Sequence, residues 1–177
     1  MTLRLILLLG GARSGKSALA VRWAQTLGGD AVTFLATARA EDDEMRQRIA
    51  AHRAQRPDAW RTLETPRHVG VALRRVPHRV AILDCLTLLV ANAWLEEGPA
   101  AVDAEITGLL RAWRAWGGTL LVVSNEVGMG IVPVHPLARA YRDALGWVHQ
   151  RVRAEATQTY LVVAGGVIAV EEPGPRP

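Results

Sequence analysis

"LRLILLLGGARSGKSALAVRW", residues 3–23, decides the architecture. Residues 3–9 are almost wholly apolar, as expected of a short strand buried on both faces. Residues 17–27 follow a helical pattern, and Gly28-Gly29 stops it. Between strand and helix, Gly10, Gly11, Ala12, Arg13, Ser14, Gly15, Lys16 and Ser17 fit the pattern G-x-x-x-x-G-K-[ST]. Glycines there let backbone N–H groups turn inward around phosphate oxygens, and the helix N-terminus adds partial positive charge. Lys16 is placed to reach the terminal phosphates and the Ser17 hydroxyl to ligate magnesium. The stretch has the outline of a secretory signal, but its unbroken apolar part, residues 5–9, is too short for a signal core.

Downstream the same alternation continues. Strands are expected at residues 31–36, 80–83 and 119–124, and helices at 41–56, 86–94, 102–116 and 137–156. "TYLVVAGGVIAV" reads as a strand and a return strand across Gly165-Gly166, and residues 171–177 as a frayed tail. Alternating strands and helices imply an α/β fold, a mostly parallel sheet with helices on both faces and an antiparallel C-terminal strand. Neither an internal repeat nor a linker divides the chain, so residues 1–177 are expected to be one nucleotide-binding domain. Ligands of such sheets bind beyond the carboxyl ends of the strands. Asp84, closing the run "VAILD", is expected there as the carboxylate for a nucleotide-bound magnesium, as a cap of the next helix, or as both. Ala36-Thr37 and Asn125-Glu126 should lie at the same edge.

Composition excludes several classes. No apolar run is long enough to span a bilayer. The single cysteine, Cys85, cannot form an internal disulfide, which fits the cytoplasm. The formal charge is +4, and 20 of the 21 basic residues are arginines, scattered and often beside acids as in "EDDEMRQR". That pattern argues against nucleic-acid binding by a RecA-like ATPase. The one lysine is Lys16.

Five histidines are present, without metal-site spacing. His52 lies seven residues after Met45 and three after Ile49, on one helical face that looks toward protein rather than water. It reads either as a half-buried packing residue or as a nucleophile. Attack on an α-phosphate needs an unprotonated nitrogen, and about three-quarters of an unperturbed histidine is neutral at pH 7. His68, His78, His135 and His149 read as structural, none lying near a motif.

"LGGARSGKS", "EDDEMRQRIAAHRAQRPDAWRTLE", "VSNEVGMGIVP" and "LARAYRDALGWVHQRVRAEATQTYLVVAGG", in order along nearly the whole chain, resemble the adenosylcobinamide kinase/adenosylcobinamide-phosphate guanylyltransferases of cobalamin biosynthesis. The resemblance implies a RecA-like P-loop NTPase fold. It implies phosphorylation of adenosylcobinamide by ATP or GTP, then transfer of GMP from GTP to that phosphate, yielding adenosylcobinamide-GDP and pyrophosphate. The family's histidine in H-x-x-x-R-P falls on His52 and makes it the covalent nucleophile, with Lys16 as its catalytic partner. Nucleotide or magnesium contacts are implied for residues 10–17, Ala36, Thr37, Ala38, Arg53, Ala54, Gln55, Arg56, Glu64 and Asp84, with Ser17 and Asp84 on the metal. A homotrimer is implied as well.

Departures are few. Ala51 stands where many members have a second histidine, Ala38 where some have serine, and Asp84 where some have glutamate. Glu126 and the Gly128/Gly130 loop belong to the family signature, with no role legible from the residues. A small-molecule kinase without a covalent step would account equally well for the phosphate loop and Asp84.

Overall fold

A computed structural model describes residues 3–171. Seven strands form one sheet: β1 (Arg4–Gly10), β2 (Val32–Ala36), β3 (Arg61–Glu64), β4 (Val80–Asp84), β5 (Thr119–Asn125), β6 (Gln158–Val163) and β7 (Gly166–Ala169). The helices are α1 (Lys16–Gly28), α2 (Asp43–Ala54), α3 (Val69–Leu73), α4 (Leu86–Glu97), α5 (Pro99–Trp116) and α6 (Pro136–Glu155). Strand order is β3-β2-β4-β5-β1-β6-β7. All pairings are parallel except β6 with β7. The α/β class, helices on both faces and the antiparallel C-terminal strand are as the sequence leads one to expect. The frayed tail, apart from Glu171, lies outside the described residues.

Side chains alternate across a strand, so each apolar strand feeds two cores. Leu5, Leu7, Leu83, Leu120 and Val122 join residues of α3, α4, α5 and α6 on one face. Ile6, Leu8, Ile82, Leu121 and Val123 meet Leu19, Ala20 and Ala24 of α1 on the other. Helix α2 contributes no buried residue to either.

Two elements are not legible in the sequence. Strand β3, "RTLE", is a sheet edge with only Thr62 and Leu63 half-buried, so no apolar run marks it. Helix α3 is a five-residue turn fixed by tertiary contacts. The Glu105 carboxylate of α5 accepts from the N–H groups of His68 and Val69 at its N-terminus (2.9 and 2.8 Å), where the helix dipole favours an anion. Gly70 is required by close approach to α5, since a Cβ there would lie 2.5 Å from the Gly108 carbonyl oxygen.

Candidate active site

The phosphate loop runs from the end of β1 into α1. Gly15 adopts φ 96°, a left-handed conformation that favours glycine. Gly10 has no room for a side chain, because a Cβ would sit 2.5 Å from the Val162 carbonyl oxygen and 2.6 Å from Ser14 Oγ. The turn between β6 and β7 braces the loop, the Gly165 N–H donating to the Ser14 carbonyl at 2.9 Å. Ser14 Oγ is buried without a hydrogen-bond partner. Lys16 is buried, and its Nζ donates to the Gly11 carbonyl at 2.8 Å. Burial holds its ammonium below the ordinary lysine range; Asp84 opposes that shift and Arg48 adds to it. An ammonium held among backbone dipoles, with an anion nearby, is poised to exchange Gly11 for a phosphate oxygen.

Parallel register aligns the carboxyl edge. Ala36 of β2 is level with Glu64 of β3 on one side and with Asp84 of β4 on the other. One strand, β5, separates β4 from β1. Burial pushes the Asp84 carboxyl above the usual carboxylate range, opposed by a hydrogen bond from Ser17 and by the charges of His52, Arg56 and Lys16. Four of the expected site residues therefore bear on the Asp84 carboxylate. Thr37 is buried, and its hydroxyl is already used: it donates to the Cys85 carbonyl and accepts from the Cys85 N–H, both at 2.7 Å. It clamps the end of β4 and so aims Asp84. Burial, with the Asp84 charge adding, pushes the Cys85 thiol up to about 11, which removes it as a nucleophile.

Helix α2 begins at Asp42, whose side chain accepts from the Met45 N–H at 2.7 Å. Met45, Ile49 and His52 are its half-buried positions, four and three residues apart, which is the protein-facing stripe expected of them. Past its end, the Arg56 guanidinium lies 3.3 Å from the centre of the Phe34 ring and donates to Thr62 Oγ1 at 3.4 Å. Its Nε is buried without a partner, and burial lowers its pKa. Trp60 then pins the chain, donating from Nε1 to the Gly29 carbonyl at 2.9 Å. Arg53, Ala54 and Gln55 are exposed, as are Arg13 in the phosphate loop and Glu64 at the sheet edge. Arg48, one turn before His52, is exposed, and its charge adds to the lowering of the Lys16 pKa.

One group was missed by sequence reasoning. His149 of α6 is buried, with Nε2 2.8 Å from Ser124 Oγ and Nδ1 3.5 Å from the Glu126 carboxylate. The structural reading of this histidine is therefore incomplete: it touches a residue of the family signature. His78, by contrast, pairs with Thr33 and His135 caps α6.

A sequence profile described as "Cobinamide kinase / cobinamide phosphate guanyltransferase" matches residues 6–170. The chain is 45% identical over 161 residues to the "Bifunctional adenosylcobalamin biosynthesis protein CobP" of Pseudomonas aeruginosa, covering 90% of this chain and 92% of that protein. It is 40% identical over 178 residues to the CobU protein of the same description from Escherichia coli, covering 91% and 96%. Among solved structures it resembles the flagellar accessory protein FlaH from Methanocaldococcus jannaschii, with a TM-score of 0.54, 16% identity, and coverage of 94% of this chain and 75% of that one. At that identity the likeness speaks for the fold alone.

Proposed function

Because the chain belongs to the cobinamide kinase/cobinamide phosphate guanyltransferase family, we propose that its single phosphate loop serves two successive reactions. The first moves the γ-phosphoryl of ATP or GTP to the hydroxyl of adenosylcobinamide. The second moves GMP from GTP to the new phosphate through an adduct on His52, releasing pyrophosphate and giving adenosylcobinamide-GDP.

What supports this reading is the placement of buried Lys16, with Nζ on the Gly11 carbonyl, and of Asp84 at the same carboxyl edge of the sheet, near enough to His52 and Arg56 for their charges to act on it. The backbone N–H groups of residues 10–17 and the Lys16 ammonium hold the β- and γ-phosphates in both reactions. In the first they stabilise charge on the transferring group and the departing diphosphate. In the second they stabilise pyrophosphate as it leaves. A neutral His52 nitrogen attacks the α-phosphorus; the N–P bond forms as the α–β bridging bond breaks. The acceptor phosphate then reverses the roles, its oxygen attacking and the imidazole leaving. Arg53 and Arg56 suit the α-phosphate, planar guanidinium donors matching phosphate geometry. Ala36, Thr37, Ala38, Ala54, Gln55 and Glu64 line the remaining path of the nucleotide along the carboxyl edge.

The residues present fit magnesium. Ser17 and Asp84 offer hard oxygen ligands in contact with each other. Among the described residues no cluster of three or more His, Cys, Asp or Glu could hold a metal by itself, which suits an ion taking most ligands from phosphate and water. Ser17 and Asp84 would hold the ion, and its chemistry there is neutralisation of phosphate charge.

Helix α2, with no buried residue, swings to bring His52 onto the nucleotide. Each chain works as one nucleotide-binding domain within a cytoplasmic homotrimer. Arg39, Arg67, Arg114 and Arg151 pair with Glu96, Glu105, Glu155 and Asp103, which argues against nucleic acid as a partner. Among the described residues no helix is long and apolar enough to cross a membrane.

The test is incubation with GTP labelled at the α-phosphate, followed by denaturation. An acid-labile, base-stable label present in wild type and absent in His52→Ala is the expected result. No label in wild type overturns the covalent step and leaves a kinase alone.

A further inference from the structure

Phosphorylating an alcohol requires a place for its proton, and Asp84 is already assigned above to the magnesium ion. We propose that Glu126 accepts the proton of the attacking hydroxyl in the phosphorylation step and that His149 positions it. This rests on the two-reaction reading above.

Gly10 and Asn125 are register partners on β1 and β5, so Glu126 stands one residue beyond the strand, level with the opening of the phosphate loop. Its N–H donates to the Gly10 carbonyl at 3.0 Å, which ties it to that loop. Asp84 is level with Val123, three residues lower on the same strand, or about 10 Å at the usual rise. Glu126 thus lies beyond Asp84 at the carboxyl edge of the sheet, where ligands of such folds bind. Its side chain is 20% exposed, open enough to meet a substrate.

A polarised hydrogen-bond chain supports it. The Asn125 N–H donates to Thr87 Oγ1 at 2.7 Å, Thr87 and Ser124 hydroxyls are 3.1 Å apart, and Ser124 Oγ is 2.8 Å from His149 Nε2. Thr87 accepts from the backbone, and with its own proton turned to Ser124 the Ser124 proton is free to meet Nε2. Burial holds His149 below its ordinary pKa, opposed by Glu126, and in that arrangement the ring proton is the one on Nδ1, 3.5 Å from the Glu126 carboxylate. The other carboxylate oxygen accepts from the Gly128 N–H at 2.6 Å. Beyond Gly128 the chain exposes apolar side chains, Ile131 at 97% and Val134 at 95%, a surface open to a large acceptor.

In the step, the hydroxyl oxygen bonds to the γ-phosphorus, the β–γ bridging bond breaks toward the diphosphate, and the hydroxyl proton passes to the Glu126 carboxylate. Solvent removes it afterwards through the exposed side.

The experiment measures the two half-reactions separately, the second with adenosylcobinamide phosphate supplied as acceptor. Glu126→Gln keeps the acceptor for Gly128 and removes the base; its phosphorylation kcat should fall about 100-fold or more with nucleotide KM nearly unchanged. Guanylyl transfer and the labelled adduct should stay within about threefold of wild type. Glu126→Asp, which withdraws the acid by one methylene, should lose about tenfold in the same kcat alone, and it carries the test if the glutamine variant is poorly folded. His149→Leu should lower kcat without raising KM, and His149→Gln, which can still accept from Ser124 and donate to Glu126, should restore most of it. Phosphorylation by Glu126→Gln at the wild-type rate overturns the assignment alone, as does parallel loss of both half-reactions in either variant. A wild type that phosphorylates no cobinamide overturns the two-reaction reading and this assignment with it.

Discussion

Helices α1 and α2 both carry chemistry, and they are built in opposite ways. The first begins at buried Lys16 and sinks Leu19, Ala20 and Ala24 into a core. The second only half-buries Met45, Ile49 and His52 and is held at its ends, by the Asp42 cap before it and by Arg56 and Trp60 after it. A group that must hold phosphates identically through two reactions is anchored to the sheet. A group needed in only one is mounted where it can withdraw at little cost in buried area. Damage near α1 should therefore strike both activities, and damage on α2 should separate them.

The strongest attempt to break that contrast is His52→Asn. Guanylyl transfer should fall by at least about 10⁴-fold while phosphorylation stays within about threefold, read by assaying the half-reactions apart. Equal losses would mean that α2 is part of the fixed cradle. Next, Lys16→Met should cost both half-reactions together, each by roughly 10²–10³-fold. Its effect on stability has the opposite sign. Burial places the folded-state pKa of Lys16 below the unfolded value, so stability rises with pH between the two and carries the full cost of the buried ammonium below both. At neutral pH the nucleotide-free methionine variant should thus melt above wild type.

Packing sharpens the comparison. Leu19→Ala removes a buried side chain of α1 and should cost roughly 2–4 kcal/mol in urea unfolding, whereas Ile49→Ala on α2 should cost less than about 1 kcal/mol. Hydrogen exchange should show α2 amides opening faster than those of α1, and GTP should slow α2 the more. The smallest effect concerns His149. Burial sets its folded pKa below 6.5, so the unfolded chain binds the extra proton and stability declines as pH falls below 6.5. His149→Gln should flatten that decline.

The sequence made legible what depends on local pattern. Residues 3–23 announce a buried strand, a glycine turn and a helix, and the structure has all three. Asp84 was readable because its strand is apolar up to the last residue. What stayed hidden is set by partners distant along the chain. Strand β3 is an edge without an apolar signature, and α3 forms where Glu105, more than thirty residues away, caps it. His149 looked structural because the serine and glutamate it touches lie on another element, 25 and 23 residues earlier. Spacing says which residues share a helix face, but not what α6 will meet when it lands on the sheet.

The brace between Gly165 and Ser14 links the last hairpin of the chain to the first loop. Strand β1 likewise has β6 as one neighbour, with Leu8 paired to Tyr160 and Gly10 to Val162. A nascent polypeptide that has not yet reached residue 158 would carry the complete glycine motif and yet lack the wall against which that motif is folded. Capture of triphosphate would then wait for β6, and ribosome-stalled chains cut before residue 158 should not be retained on immobilised GTP.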